Sequence, residues 1–221
     1  MNIIFIALAP VFIIALYIYF RDKYEKEPIR MLLTALLAGC LIVIPVSLVE
    51  NILVHLHPLL PRGGQAVYNA FFVAGLTEET FKFLALFLLI WRNRNFNEKF
   101  DGIVYAAFIG LGFAGVENVL YLVKFGINVG WIRAFTAVPA HALFGVTMGY
   151  YFGLAKFYPD SRNMLLARSL IYPIMLHGTY DFIVMLGDYR LLLGFIPYII
   201  FLYIDGLRRM KNLSDRSIFR N

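Results

Sequence analysis

An all-α bundle of about seven membrane-crossing helices is expected from three features of this sequence. Of its 221 residues, 61% are hydrophobic and 15% charged, with a mean hydropathy of +0.72. A soluble domain carries about 45–50% apolar and about 25% charged residues. Second, the apolar residues fall in runs of about 20, the length at which a helix rising 1.5 Å per residue crosses a hydrocarbon core of roughly 30 Å. Third, the basic residues separate by loop, as they do when cytoplasmic loops hold them. This balance excludes a water-soluble enzyme, a disordered chain and a disulfide scaffold. A single cysteine, Cys40 in an apolar run, excludes a cysteine zinc cluster and reads as a packing residue. The net charge of +6 is then a topology signal, with the lipid bilayer as partner and no nucleic acid.

The elements follow in order. The first run, 3–20, has no basic stretch ahead of it and Arg21, Lys23, Lys26 and Arg30 behind it, so an anchor is expected rather than a cleaved leader. The second is 31–49. The connection 50–68 holds His55, His57, Pro58, Pro61 and Gly63–Gly64, and reads as an irregular wet loop. Runs 69–91, 103–123, 132–154, 165–186 and a short 191–204 complete the set. Repeats are absent and the loops are too short for a second domain, so 1–221 is one domain. Alternate loops collect fifteen cations on one side: Arg21, Lys23, Lys26, Arg30; Arg92, Arg94, Lys99; Lys156, Arg162, Arg168; Arg208, Arg209, Lys211, Arg216, Arg220. The other side has four, Arg62, Lys124, Arg133 and Arg190. The N-terminus is therefore expected outside and the C-terminus in the cytoplasm. Trp91, Tyr105, Tyr121 and Trp131 fall near run ends and read as an interfacial aromatic belt.

An ionisable side chain inside a bilayer costs about 2.5–3.5 kcal/mol on insertion scales and marks function by default. Four consecutive runs carry such groups: Thr77-Glu78-Glu79-Thr80-Phe81-Lys82 in the third, Phe113 to Glu117-Asn118 in the fourth, His141 ahead of Phe144-Gly145 in the fifth, and His177 to Asp181 in the sixth. Counted from the outer ends, Glu78, Glu79, His141 and His177 lie roughly 14 Å deep, Glu117 roughly 9 Å and Asp181 roughly 8 Å. Alternate helices run in opposite directions, so unrelated polar residues would scatter in depth. Glu78 and Lys82, at i and i+4, suit an ion pair, while Glu79 points about 100° away toward another neighbour. His177 and Asp181 are also i and i+4, which lets the carboxylate fix the imidazole tautomer. Small residues, Gly75, Gly110, Gly112, Ala114, Gly115, Gly145, Gly149, Gly153 and Gly178, allow the close helix approach that encloses a polar cavity.

Carboxylates and imidazoles at one depth, without a reactive Ser or Cys among them, suit activation of water. Two versions fit. In one, Glu117, His141 and His177 hold zinc and Glu78 or Glu79 is the general base. In the other there is no metal; a glutamate deprotonates water and His177 with Asp181 stabilises the oxyanion.

Glu78-Glu79-x-x-Lys82, Phe113-x-x-x-Glu117-Asn118, His141 before Phe144-Gly145 and His177-x-x-x-Asp181 together resemble the PrsW family of bacterial intramembrane proteases, over nearly the whole chain. The family is distantly similar to the CAAX prenyl endopeptidases; Glu117 and Asp181 stand where those enzymes have His and Asn. The resemblance implies Glu78, Glu79, Glu117, His141, His177 and Asp181 as catalytic, with Lys82 and Asn118 in support. It also implies a multi-pass protein of the bacterial cytoplasmic membrane. Its substrate would be a single-pass membrane protein such as an anti-sigma factor, cut on the extracytoplasmic side to begin a cascade that frees a stress-response sigma factor. The alternative reading of the buried Glu/His set is a proton- or ion-coupled transporter.

Overall fold

The protein is described by a computed structural model over residues 3–56, 60–187, 189–217 and 219. Among the described residues it is all helix. The elements are α1 (Ile3–Arg21), α2 (Ile29–His55) and α3 (Arg62–Val67), the last running through a π-helical stretch (Tyr68–Leu76) into α4 (Thr77–Ile90). There follow α5 (Lys99–Phe125), α6 (Ile127–Phe135), α7 (Ala137–Phe157), a 3-10 turn, α8 (Arg162–Leu186) and α9 (Tyr189–Ser214). By length and composition four stretches among the described residues are able to cross a bilayer, Ile29–His55, Lys99–Phe125, Ile127–Phe157 and Pro159–Leu186, and a shorter apolar helix covers Ala7–Arg21. Large apolar side chains at the periphery, among them Phe5, Leu41, Leu88, Leu193 and, near the end of α5, Val123, are exposed. On a water-facing surface so many would aggregate; on this one they meet lipid.

The helix ends depart from expectation in three places. Residues 50–55 continue α2, and Arg62–Val67 is helical, so the 50–68 connection is largely ordered helix. The first proline in that stretch is Pro58, which disfavours a helical residue before it; His57 and Pro58, like Arg220 at the other end, lie outside the described residues. The fifth run breaks at Thr136, so that Ile132 and Arg133 belong to α6 and the long helix starts at Ala137. Pro139 then falls in the first turn of α7, where its missing N–H costs no helical hydrogen bond. Finally α9 runs 26 residues, well past the expected 204.

α5 is the axis of the bundle, buried on all sides through most of its length. Its backbone touches its neighbours directly. A Cβ on Gly112 would lie 2.0 Å from the Leu36 carbonyl oxygen of α2, and one on Gly149 of α7 would lie 2.1 Å from that of Gly102. Helices this close leave no room for a side chain at the glycine positions, and so hold the facing side chains at fixed heights. Cys40 sits in the same α2–α5 seam, its Sγ 3.3 Å from the Gly112 carbonyl.

At the end of the bundle that carries the α1–α2 and α4–α5 loops lies a buried acidic group. Asp101 caps α5 by accepting from the Asn97 and Glu98 N–H groups at 2.9 and 2.7 Å. Asp22 accepts from the Glu27 N–H at 3.3 Å. Tyr105, expected in an interfacial belt, is instead fully buried here and donates to the Glu27 carboxylate. Trp91 stacks on Phe87 and meets Phe152 edge-on rather than facing the interface freely; Tyr121, which covers an arginine, and Trp131 are the two that are exposed.

Two outcomes follow from this packing. Gly149→Ala forces the α5–α7 seam apart and should lower unfolding stability by about 1–3 kcal/mol in detergent denaturation; an unchanged midpoint would contradict the seam. Burial pushes the Asp22 carboxyl up to about 7, against an ordinary 3.8. Between those values the folded chain binds more protons than the unfolded one, so this group's contribution falls as pH rises from about 4 to 7. Asp22→Asn should therefore raise the melting temperature by a few degrees at pH 8 and by less at pH 5; equal gains at both would refute the assignment.

Candidate metal centre

Glu78 and Glu79 owe their direction to the π-helical stretch before them. Nine residues, Tyr68–Leu76, are wound wider than an α-helix, which rotates everything after them, and π segments of this kind gather at functional sites. The stretch lies against α8. A Cβ on Gly75 would meet the Ile174 carbonyl oxygen at 3.2 Å, and Phe71 fills the place of a Cβ on Gly178, at 2.3 Å. That contact brings the first turn of α4 level with His177. His141 is set by α7, whose backbone is pressed on α5 where a Cβ on Gly110 would come 2.8 Å from the His141 carbonyl oxygen. Phe144 stacks on the His177 ring at 5.0 Å, and the two imidazoles meet edge to face at 5.0 Å.

Four of the expected residues form one compact donor group. One ligating atom from each of Glu78, Glu79, His141 and His177 lies within 4.8 Å of the others, and all four residues are buried. His177 Nδ1 is 2.9 Å from Glu79 Oε1 and 3.8 Å from Glu78 Oε2. His141 Nδ1 is 3.9 Å from Glu78 Oε2. Behind each imidazole stands a carboxylate: Glu117 Oε2 at 2.9 Å from His141 Nε2, and Asp181 Oδ2 at 3.4 Å from His177 Nε2. Lys82 does more than pair with Glu78. Its ammonium is 3.0 Å from Glu78 Oε2, 2.7 Å from Glu79 Oε1 and 3.1 Å from His141 Nδ1, and 4.3 Å from the centre of the Phe113 ring. Glu79 does reach a neighbour of its own, His177 at 2.9 Å, but both carboxylates also converge on one lysine, because i+3 and i+4 lie on the same side of the next turn.

Two further expectations need correction. Glu117 is not in the compact donor group with His141 and His177; it accepts from His141 and sits 2.6 Å from Arg133 Nη2. Asn118, one residue on, faces the other way and donates to the Ala7 carbonyl at 3.1 Å, tying α1 to α5. A 100° step per residue separates the two faces.

The group opens on a cavity of about 400 Å³, lined by Glu78, Glu117, His141, His177 and Asp181. Glu79 is buried behind it and does not line it. The cavity also holds two charged residues that sequence reasoning assigned to outer connections, Glu50 and Arg133. Glu50 is carried inward by the extra turns of α2, and Arg133 by α6, where its guanidinium lies 3.8 Å from the Tyr121 ring centre. Arg133 Nε–H is buried without a partner. The available signal was the amphipathic pattern of 127–135, whose apolar face is exposed at Ile127, Trp131, Ile132 and Phe135.

The donors suit a zinc-class ion. Neutral imidazole nitrogen and carboxylate oxygen are its usual ligands, and Glu79 Oε2 is a buried acceptor with no partner. An imidazole that turns one nitrogen to the ion and the other to a carboxylate is the common supporting arrangement, and Glu117 and Asp181 provide it twice.

A profile of the PrsW family, intramembrane metalloproteases, matches residues 27–204, which contain every residue of this group. The chain is 36% identical to Protease PrsW of Bacillus subtilis over 95% of its own length and 94% of that protein. It is 34% identical to Protease PrsW of Oceanobacillus iheyensis, covering 99% of each. With Protease PrsW of Clostridioides difficile it shares 34% over 100% of this chain and 96% of the relative. No solved structure matches the chain.

The Arg133–Glu117 contact predicts a measurable coupling. Removing one partner leaves a largely buried charge, so Arg133→Ala should destabilise the fold, and Glu117→Gln should relieve much of that loss. A double-mutant cycle on thermal or denaturant unfolding should return about 1–3 kcal/mol of interaction; strict additivity would show that the two side chains are independent.

Proposed function

The chain belongs to the PrsW family of intramembrane metalloproteases, and from that premise we propose that it cleaves a single-pass membrane protein of the anti-sigma-factor kind on its extracytoplasmic side. By this reading the cut begins a proteolytic cascade that releases a sigma factor. The chain is a peptide hydrolase of the bacterial membrane, crossing it several times. We further propose seven crossings, α1, α2, the α3–α4 segment, α5, α7, α8 and α9, with the N-terminus outside. The loop distribution of Lys and Arg supports that orientation. The transporter alternative has no support in the family.

The observation that carries the reading is the donor group of Glu78, Glu79, His141 and His177 at the wall of one cavity. Within it, Glu79, His141 and His177 are the residues that would hold a zinc-class ion, which when bound supplies Lewis acidity toward water and the peptide carbonyl. The remaining work belongs to the chain. Glu78 is the glutamate that lines the cavity, so it is placed to take the proton from a water molecule there and pass it to the leaving amine. Glu79, fully buried, touches Lys82 and His177 and keeps its other oxygen unpartnered, which suits it to hold the ion and not to meet water in the cavity. Glu117 and Asp181 hold the two imidazoles in orientation. Arg133 lines the same cavity beside Glu117, so its positive charge would favour a carbonyl oxygen of the substrate there.

Cleavage of a membrane-anchored single-pass protein in proteoliposomes tests this. Glu78→Gln should lower kcat about 10²–10⁴-fold with little change in KM, as expected for loss of a general base. Full activity in that variant, or hydrolysis untouched by both Glu78→Gln and His177→Ala, would sink the assignment.

A further inference from the structure

The centre of the donor group already holds a cation. Lys82 Nζ lies 2.7–3.1 Å from Glu79 Oε1, Glu78 Oε2 and His141 Nδ1. An ammonium has three N–H donors and no acceptor, so these three partners use all of them. His141 Nδ1 must then be the bare nitrogen and Nε2 the protonated one, which matches its 2.9 Å contact to Glu117 Oε2. The lone pair an ion would need on His141 is thus turned toward the cluster but is occupied by the lysine. The same holds for one oxygen of each glutamate.

A zinc-class ion binds such donors at about 2.0–2.2 Å. Drawn into that contact by Glu79 and His141, it would stand close to where Nζ now stands, beside Glu78. Two like charges a few ångströms apart in a buried site repel by several kcal/mol even at an effective dielectric of about 20. Ammonium and metal therefore cannot share the group. We propose that the Lys82 ammonium and a divalent metal ion are alternative occupants of one donor set, so that Lys82 is a built-in competitor that sets how tightly this chain holds metal. The lysine keeps the two adjacent carboxylates compensated while the chain is metal-free, and it must withdraw, with its charge, for the ion to enter. This deepens the proteolytic reading, since it concerns the same residues, but it is decided by metal affinity and not by cleavage.

Lys82→Met removes the charge and keeps the length and apolar stem; Lys82→Arg keeps a fixed charge and enlarges the head. Zinc binding by the full-length chain in detergent or nanodiscs is measured by competition with a chromophoric chelator, with bound metal counted by elemental analysis. Lys82→Met should bind one zinc per chain at least tenfold more tightly than the unaltered protein, and Lys82→Arg at least tenfold more weakly. Should the methionine variant fail to fold, the arginine variant against the unaltered chain still decides the matter. Equal affinity across the proteins, or weaker binding in Lys82→Met with its fold retained, overturns the proposal. Neither result bears on whether Glu78→Gln abolishes cleavage, and an unaltered chain that cuts nothing would leave the zinc comparison intact.

Discussion

Two carboxylates on consecutive residues, buried in a helix bundle, are tolerable only if a positive charge lies between them. Here that charge is the Lys82 ammonium, bonded to Glu78, Glu79 and His141 at once. At about 2.5–3.5 kcal/mol for each unpaired charge in a span, the isolated groups would threaten a fold whose net stability is of the order of ten. Paired and hydrogen-bonded, they cost far less, and removing any one member leaves the others exposed to the full penalty. The architecture around the site can be read as the means of keeping that group together. The α5–α7 seam closes down to backbone contact at Gly102 and Gly149, the π stretch turns Glu78 and Glu79 inward, and Phe144 clamps His177.

The outer carboxylates extend the same logic by one layer. Glu117 and Asp181 each face the far nitrogen of an imidazole, so each histidine presents Nδ1 to the cluster and Nε2 to a carboxylate. Arg133 in turn compensates Glu117 from the short helix α6. Charges alternate outward from the centre, carboxylate to lysine, imidazole to carboxylate, carboxylate to guanidinium. The cavity carries an excess of acids over fixed cations, with Glu50 adding another, and that imbalance is the electrostatic case for a divalent ion.

Much of the site was readable before any coordinates. Glu78, Glu79, Lys82, Glu117, His141, His177 and Asp181 all stood out because ionisable residues are rare in apolar helices, and they do converge. Asn118 was drawn in by adjacency to Glu117, and a neighbour in sequence on a helix is not a neighbour in space. Glu50 and Arg133 were missed for the opposite reason. Each sits at the margin of an apolar run, where a charge looks solvated, and only the extra turns of α2 and the break at Thr136 bring them inward. Tyr105 was misplaced in the same way, its partner Glu27 lying far off in sequence.

The sequence alone determined that this is a multi-pass helical membrane protein and marked most of the polar residues that gather at the cavity. Both follow from composition and period, because lipid forbids unpaired polar groups and permits only long apolar helices. What the sequence left open was which donors meet which. Whether Glu117 joins the imidazoles or stands behind one of them depends on rotations of tens of degrees between helices. Those rotations are set by a π stretch and by glycine seams whose effect is felt only when helices pack. The position of Lys82 at the centre is likewise a three-body contact. Its third partner, His141, is 59 residues away, and no spacing rule along one helix could have placed it there.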